Sequence, residues 1–163
     1  MLRLKEFDLS DIPTMIKWGF SKEELFQFAG DAFSYPLREE EVISFMKKEG
    51  SSFFAIQEIV SNTVIGVGEV VLEPYNTCKL ARIVIGDTAF RGKGYGQEMI
   101  VLLTDYCLQE LQATKVYLNV FDWNIGAIKC YEKVGYQFTE KSREFKVNEE
   151  LVWISREMVY VQD

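Results

Sequence analysis

No histidine occurs anywhere in the 163 residues. That absence excludes Ser/His/Asp and Cys/His nucleophilic catalysis and zinc sites of the HExxH type. Any proton transfer here falls to Glu, Asp, Tyr, Lys, Cys or water. Cysteine is nearly as scarce. Cys78, Cys107 and Cys130 are odd in number, widely spaced and free of a CxxC pair. They indicate neither a disulfide framework nor a metal site, and read as buried, reduced thiols. Long apolar runs are missing too: no stretch approaches the roughly 20 residues of a membrane span, and the opening MLRLKEFDLS lacks the apolar centre of a signal peptide. The expectation is a cytoplasmic protein that engages no membrane. A net positive charge is also absent. At −7 the chain disfavours a sequence-independent grip on DNA or RNA phosphates and suits a cationic small partner.

What is present argues for a packed domain. Apolar residues make up 48% of the chain and aromatics 14%, enough for one substantial core, and the length fits a single domain over residues 1–163. LRLKEF reads as a strand. Ser21 and Glu24 form a capping box ahead of LFQFA, with Gly30 as the stop, and a second helix is expected from Glu39 to Glu49 before Gly50. From Ser52 the period changes to two: SFFAIQEIV, a turn at Ser61-Asn62 and TVIGVGEVVLEP make a hairpin, followed by KLARIVIG ending at Gly86. Apolar residues then recur at helical spacing from Gly96 to Gln112. KVYLNVF is a strand with Val116, Leu118 and Val120 on one face, Asn124 to Val134 a short helix closed by Gly135, and YQFTEKSREF with LVWISREMVY a hairpin turning at Val147 to Glu150. This order predicts an α/β (α+β) protein built on a mixed sheet flanked by helices.

The stretch AFRGKGYGQEM carries the densest signal. Gly92, Gly94 and Gly96 lie between a strand and a helix, flanked by Arg91 and Lys93. A strand that turns through glycines into a helix aims backbone N–H groups and the positive end of the helix dipole at one point, which suits a phosphate. Spacing then excludes two familiar loops. A P-loop needs glycine where Asp87 stands, and a Rossmann loop needs a third glycine where Gln97 stands.

Arg91-x-x-Gly94-x-Gly96 resembles the (Gln/Arg)-x-x-Gly-x-(Gly/Ala) signature of the GNAT superfamily of N-acetyltransferases. One strand later, NVFDWNIGAIKCYEKVGYQFTE is similar to that family's second signature, with Asn124, Ala127, Tyr131 and the stretch from Glu132 to Tyr136 at its positions. Trp18 and FAGDAFSYPL resemble, more softly, the branch containing ribosomal-protein amino-terminal acetyltransferases. The resemblance implies a single-domain GNAT-like sheet, mostly antiparallel and twisted, flanked by helices. It also implies acetyl-CoA as donor, no metal, an amine-bearing acceptor and a possible homodimer.

By that resemblance the loop formed by Arg91, Gly92, Lys93, Gly94, Tyr95 and Gly96 holds the coenzyme's pyrophosphate. The main chain of Val84, Ile85 and Gly86 pairs with the pantetheine arm, and an N–H at Val84 or Ile85 polarises the thioester carbonyl. Asn124 and Tyr131, seven residues apart on one helix, share a face toward the coenzyme. Tyr131 is the acid that protonates the departing thiolate, and an acceptor amine with a pKa near ~10 must lose a proton before attacking. For that step Glu69 is the first candidate: it interrupts an apolar strand face shared by Ile65, Val67 and Val71, where partial burial would raise its pKa. Asp122 and a water chain are the others. Two readings compete with the enzyme: a CoA-binding or regulatory module that has lost catalysis, and a nucleotide enzyme using the glycine loop differently.

Overall fold

The period-two segments assemble into one seven-stranded sheet in a computed structural model that describes residues 1–162. Its strands are β1 (Leu2–Glu6), β2 (Ser51–Glu58), β3 (Thr63–Glu73), β4 (Thr77–Ile85), β5 (Lys115–Phe121), β6 (Tyr136–Lys146) and β7 (Val152–Tyr160). Their order is β1-β2-β3-β4-β5-β7-β6, and every neighbouring pair is antiparallel except β4 with β5. The helices are α1 (Ile12–Lys17), α2 (Lys22–Ala29), α3 (Glu39–Met46), α4 (Tyr95–Asp105) and α5 (Ile125–Val134). A mixed, mostly antiparallel sheet flanked by helices is the architecture the sequence implied.

Local signals set most boundaries. Ser21 accepts from the Glu24 N–H while Glu24 accepts from the Ser21 N–H, so α2 starts on the expected capping box, and Gly30 ends it at φ 58°. α3 stops at Met46, three residues short of the expected end, with Lys47 as its C-cap at ψ near zero. The helix expected to reach Gln112 is α-helical only to Asp105. Its last five residues widen into a π turn closed by Leu111 N–H on the Tyr106 carbonyl.

Two apolar clusters fill the two faces of the sheet. Under α4 and α5 lie Leu80, Val116, Leu118, Ile100, Leu103 and Met158; under α1 to α3 lie Phe53, Ala55 and Val67 with Ile12, Met15, Leu25 and Val42. Each fully buried aliphatic here contributes about 1.5–3 kcal/mol. Ile65 and Val67 do not share a face as their spacing suggested. A register shift between β2 and β3 inserts an extra residue, sending Ile65 to the α4 side while Val67 stays on the α1–α3 side.

Candidate active site

Strands β4 and β5 run in register only from Thr77↔Lys115 to Leu80↔Leu118. Beyond that point β4 stays with β3 as far as Ile85↔Gly66, and β5 stays with β7 as far as Phe121↔Ser155. Each strand therefore keeps one unpaired edge facing the other. The opening between them is a crevice of about 1220 Å³, walled by β4 from Lys79 to Ile85 and by β5 residues Tyr117 and Asn119 to Phe121. An unpaired strand edge presents N–H and C=O groups to any extended ligand.

The glycine turn and two helix starts form its mouth. Gly92 (φ 74°) and Gly94 (φ 83°) adopt the left-handed backbone that glycine tolerates, and no atom lies within 4 Å of a Cβ built on either. Gly94 is also the N-cap of α4, where no side chain takes the free N–H groups. The start of α5 opens on the same crevice, contributing Asn124, Gly126 and Ala127, with Gly96 of α4 opposite. Two positive dipole ends thus converge on one space. The lip from Gly92 to Tyr95 lies outside the crevice wall, with the Lys93 ammonium 5.8 Å from the centre of the Phe90 ring.

Arg91 has a more specific task than adding charge. Its Nε donates to the Ile85 carbonyl at 2.8 Å, and its Nη1 lies 3.4 Å from Glu24 on α2. The guanidinium ties the loop, the end of β4 and α2 together. Hydrogen bonding from the Ser21 backbone and from Arg91 holds the Glu24 carboxyl below its ordinary range.

Of the strand positions expected to meet the coenzyme, Val84 and Ile85 line the crevice, while Gly86 backs it. The Gly86 N–H donates to the Ile65 carbonyl on β3 at 2.8 Å. Alternation along the strand then directs Val84's polar groups toward β3 and Ile85's N–H toward the crevice. Trp18 lies against Gly86, where a Cβ would stand 2.1 Å from the indole ring.

Asn124 and Tyr131 come together on the crevice wall. Asn124 is also the N-cap of α5, its side-chain oxygen accepting from the Ala127 N–H at 3.3 Å. Burial pushes the Tyr131 hydroxyl well above the ordinary phenol range, so it keeps its proton through neutral pH. Glu69 and Asp122 are not part of that wall. Glu69 is fully buried beneath Arg82, whose Nη2 and Nε approach Oε1 at 2.8 and 2.9 Å, and Asp122 is exposed just past β5. The three thiols are free, and burial raises all of them.

On the side away from α4 the crevice includes a basin that periodicity did not reveal. Phe28 from α2, Phe121 from β5 and Phe145 from β6 wall it, and its floor carries Lys79, Tyr117, Ser155 and Glu157. The Tyr117 hydroxyl donates to Glu73 at 2.8 Å, and Glu157 accepts from the Thr139 hydroxyl at 3.1 Å. Trp18, Phe20 and Phe33 belong instead to the core beneath α1 to α3. Phe28, Phe121 and Phe145 come from three segments distant along the chain, so no short-range pattern marked the basin.

Comparisons with known proteins agree with this geometry. The spermine/spermidine N(1)-acetyltransferase of Bacillus subtilis (strain 168) is 35% identical over 52 residues, covering 32% of this chain and 34% of that protein. The match thus spans about a third of the curated relative's length. An uncharacterised protein of Methanocaldococcus jannaschii is 31% identical over 111 residues, covering 67% of this chain and 23% of its own. Among solved structures, the spermidine N-acetyltransferase of Vibrio cholerae in complex with CoA and spermine superposes with a TM-score of 0.80 at 18% identity, over 96% of this chain and 94% of that one. A dodecameric form of that enzyme superposes at 0.74 and 18% identity, over 99% and 94%. Residues 21–136 match the acetyltransferase (GNAT) family, and this chain belongs to it.

Proposed function

We propose that this protein transfers an acetyl group from acetyl-CoA to a primary amine, with polyamines as the first acceptors to test. The observation that carries the reading is the parting of β4 from β5 beside two helix N-termini. An open β edge with converging N–H groups fits an extended ligand ending in a diphosphate. The glycine turn fits as well, since a Cβ built on Gly92 or Gly94 would meet no atom within 4 Å, leaving that side of the turn open.

Acetyl-CoA supplies an activated acyl group on a thiol leaving group. Around it this chain's residues divide the work. The N–H groups of the turn and the starts of α4 and α5 hold the diphosphate, with Lys93 adding charge at the lip. The Ile85 N–H, directed into the crevice, would stabilise the negative charge that develops on the carbonyl under attack. Asn124 shapes the α5 end of the channel. The Tyr131 hydroxyl gives a proton to the departing sulfur, whose thiol has an ordinary pKa of ~8.5. The acceptor's proton leaves to water in the open crevice, since Glu69 is held by Arg82 and Asp122 lies off the wall.

The names of the curated and structural relatives support a polyamine over a ribosomal protein's amino terminus, and the charge of −7 favours a cationic partner. Mixing the protein with acetyl-CoA and a panel of polyamines, alkylamines, amino acids and peptides, with free-thiol release as readout, tests the reading. Thiol release with spermidine or spermine is the expected result. Acetyl-CoA binding without turnover of any amine would favour the CoA-binding module instead.

A further inference from the structure

The point at which β4 leaves β5 is held by an unusual set of contacts. In the β3–β4 pairing, Val67 faces Val84 and Glu69 faces Ala81, so Arg82 and Ile83 together oppose the single residue Gly68. This is a bulge in β4, and it begins two residues after the last β4–β5 pair, Leu80↔Leu118. Arg82 sits there at φ 47°, a left-handed conformation costly for a residue with a side chain. Such a conformation persists where its surroundings over-determine it.

Those surroundings are visible. One oxygen of Glu69 receives both Nη2 and Nε of Arg82, and the guanidinium lies 5.7 Å from the centre of the Phe45 ring on α3. Glu69 is 0% exposed, sits between Phe53 and Ala81 in the sheet, and its second oxygen has no partner. Across the sheet Gly68 lets α4 close in, since a Cβ there would come within 2.8 Å of Leu103. A buried ion pair with an unsatisfied oxygen is a poor source of stability. Its position is what matters: it fastens a bulge residue two positions beyond the last β4–β5 pair.

We propose that Glu69 and Arg82 act as one positioning unit: Glu69 works through Arg82 to hold the β4 bulge, and the bulge sets both the width of the crevice and the direction of the Ile85 N–H. Glu69 is then a positioning residue and takes no proton from the acceptor. The kinetic part of this inference rests on the acetyltransferase reading. Turnover by the unaltered protein tests that reading separately, and acetyl-CoA affinity by titration tests the bulge whether or not turnover occurs.

The experiment compares Glu69→Gln, Arg82→Gln and the double variant. Each single change should lower kcat about 10-fold and weaken acetyl-CoA binding several-fold, and the double should be no worse than either single. The pH dependence of kcat/KM should keep its shape in all three. Because a lone buried charge can unfold a domain, Glu69→Gln/Arg82→Gly supplies a second test. It leaves no charge behind and puts at position 82 a residue at ease with φ 47°. It should fold, yet bind acetyl-CoA several-fold more weakly, because nothing locks the bulge. A loss confined to Glu69→Gln and recovered by raising the pH would make Glu69 the base and overturn the proposal. So would unaltered affinity and turnover in the glycine double variant.

Discussion

The indole of Trp18 lies against the Cα of Gly86 so closely that a single added methyl would stand 2.1 Å from its ring. The contact joins the end of α1 to the residue where β4 stops and the glycine turn begins. Trp18 thus backs the crevice from the far side of the strand. Gly86→Ala should cost about 1–3 kcal/mol through overpacking, lower the Tm by several degrees and weaken acetyl-CoA binding. Combining it with Trp18→Leu should restore part of both losses. Thermal melts of the three variants check this, and an unchanged Tm for Gly86→Ala would refute the contact's importance.

Tyr131→Phe should reduce kcat by about 10²-fold or more while leaving acetyl-CoA affinity within a factor of two. The ring remains to pack against Tyr136 and only the hydroxyl is lost. Single-turnover measurements check the chemical step directly. Unchanged single-turnover rates would remove Tyr131 from the acid's role.

Gly96 is a cleaner probe of the crevice mouth than Gly94, whose φ of 83° makes any substitution strained wherever its side chain points. A Cβ on Gly96 meets nothing nearer than the Cys130 sulfur at 3.9 Å. Gly96→Ala should therefore fold normally and gain up to about 1 kcal/mol of helix stability. Gly96→Leu should also fold but weaken acetyl-CoA binding 10-fold or more by filling the space between α4 and α5. Titration calorimetry with the coenzyme distinguishes the two.

The pH dependence follows from assigning the acceptor's deprotonation to water, since neither Glu69 nor Asp122 lies on the crevice wall. The rate should rise with pH as the acceptor amine loses its proton, toward the free amine's pKa of ~10. The Tyr131 hydroxyl, raised by burial, remains protonated through that range and imposes no falling limb below it. The sign is that of an acid whose loss of a proton is deferred to higher pH. A bell-shaped profile with a descending limb near pH 8 would contradict the assignment.

Asn124→Ala should cost about 1 kcal/mol, because its oxygen caps α5 through the Ala127 N–H. Asn124→Asp keeps the cap and places a negative charge at the mouth. It should leave the Tm within a degree or two and weaken coenzyme binding. Equal binding by the two variants would make Asn124 only a cap.

Several of these features were legible along the chain. The capping box at Ser21 and Glu24, the glycine turn, the strand KVYLNVF and the short helix closed by Gly135 were each specified by residues within a few positions of one another. Short-range hydrogen bonding and backbone preference decide such elements, so sequence alone determined them. It also determined, by lacking histidine, that no imidazole takes part in the chemistry.

Only the tertiary structure decided which way Glu69 faces and what it touches. Its spacing from Ile65 and Val67 suggested one shared apolar face; a bulge moved Ile65 to the other side and Arg82 closed over the carboxylate. The side-chain period of a strand is two, so one extra residue reverses every assignment beyond it, and nothing local marks where that residue falls. The contacts of Trp18 with Gly86 and of Arg91 with Ile85 and Glu24 are of the same kind. They depend on how strands and helices distant in the chain register against one another, which is settled by packing.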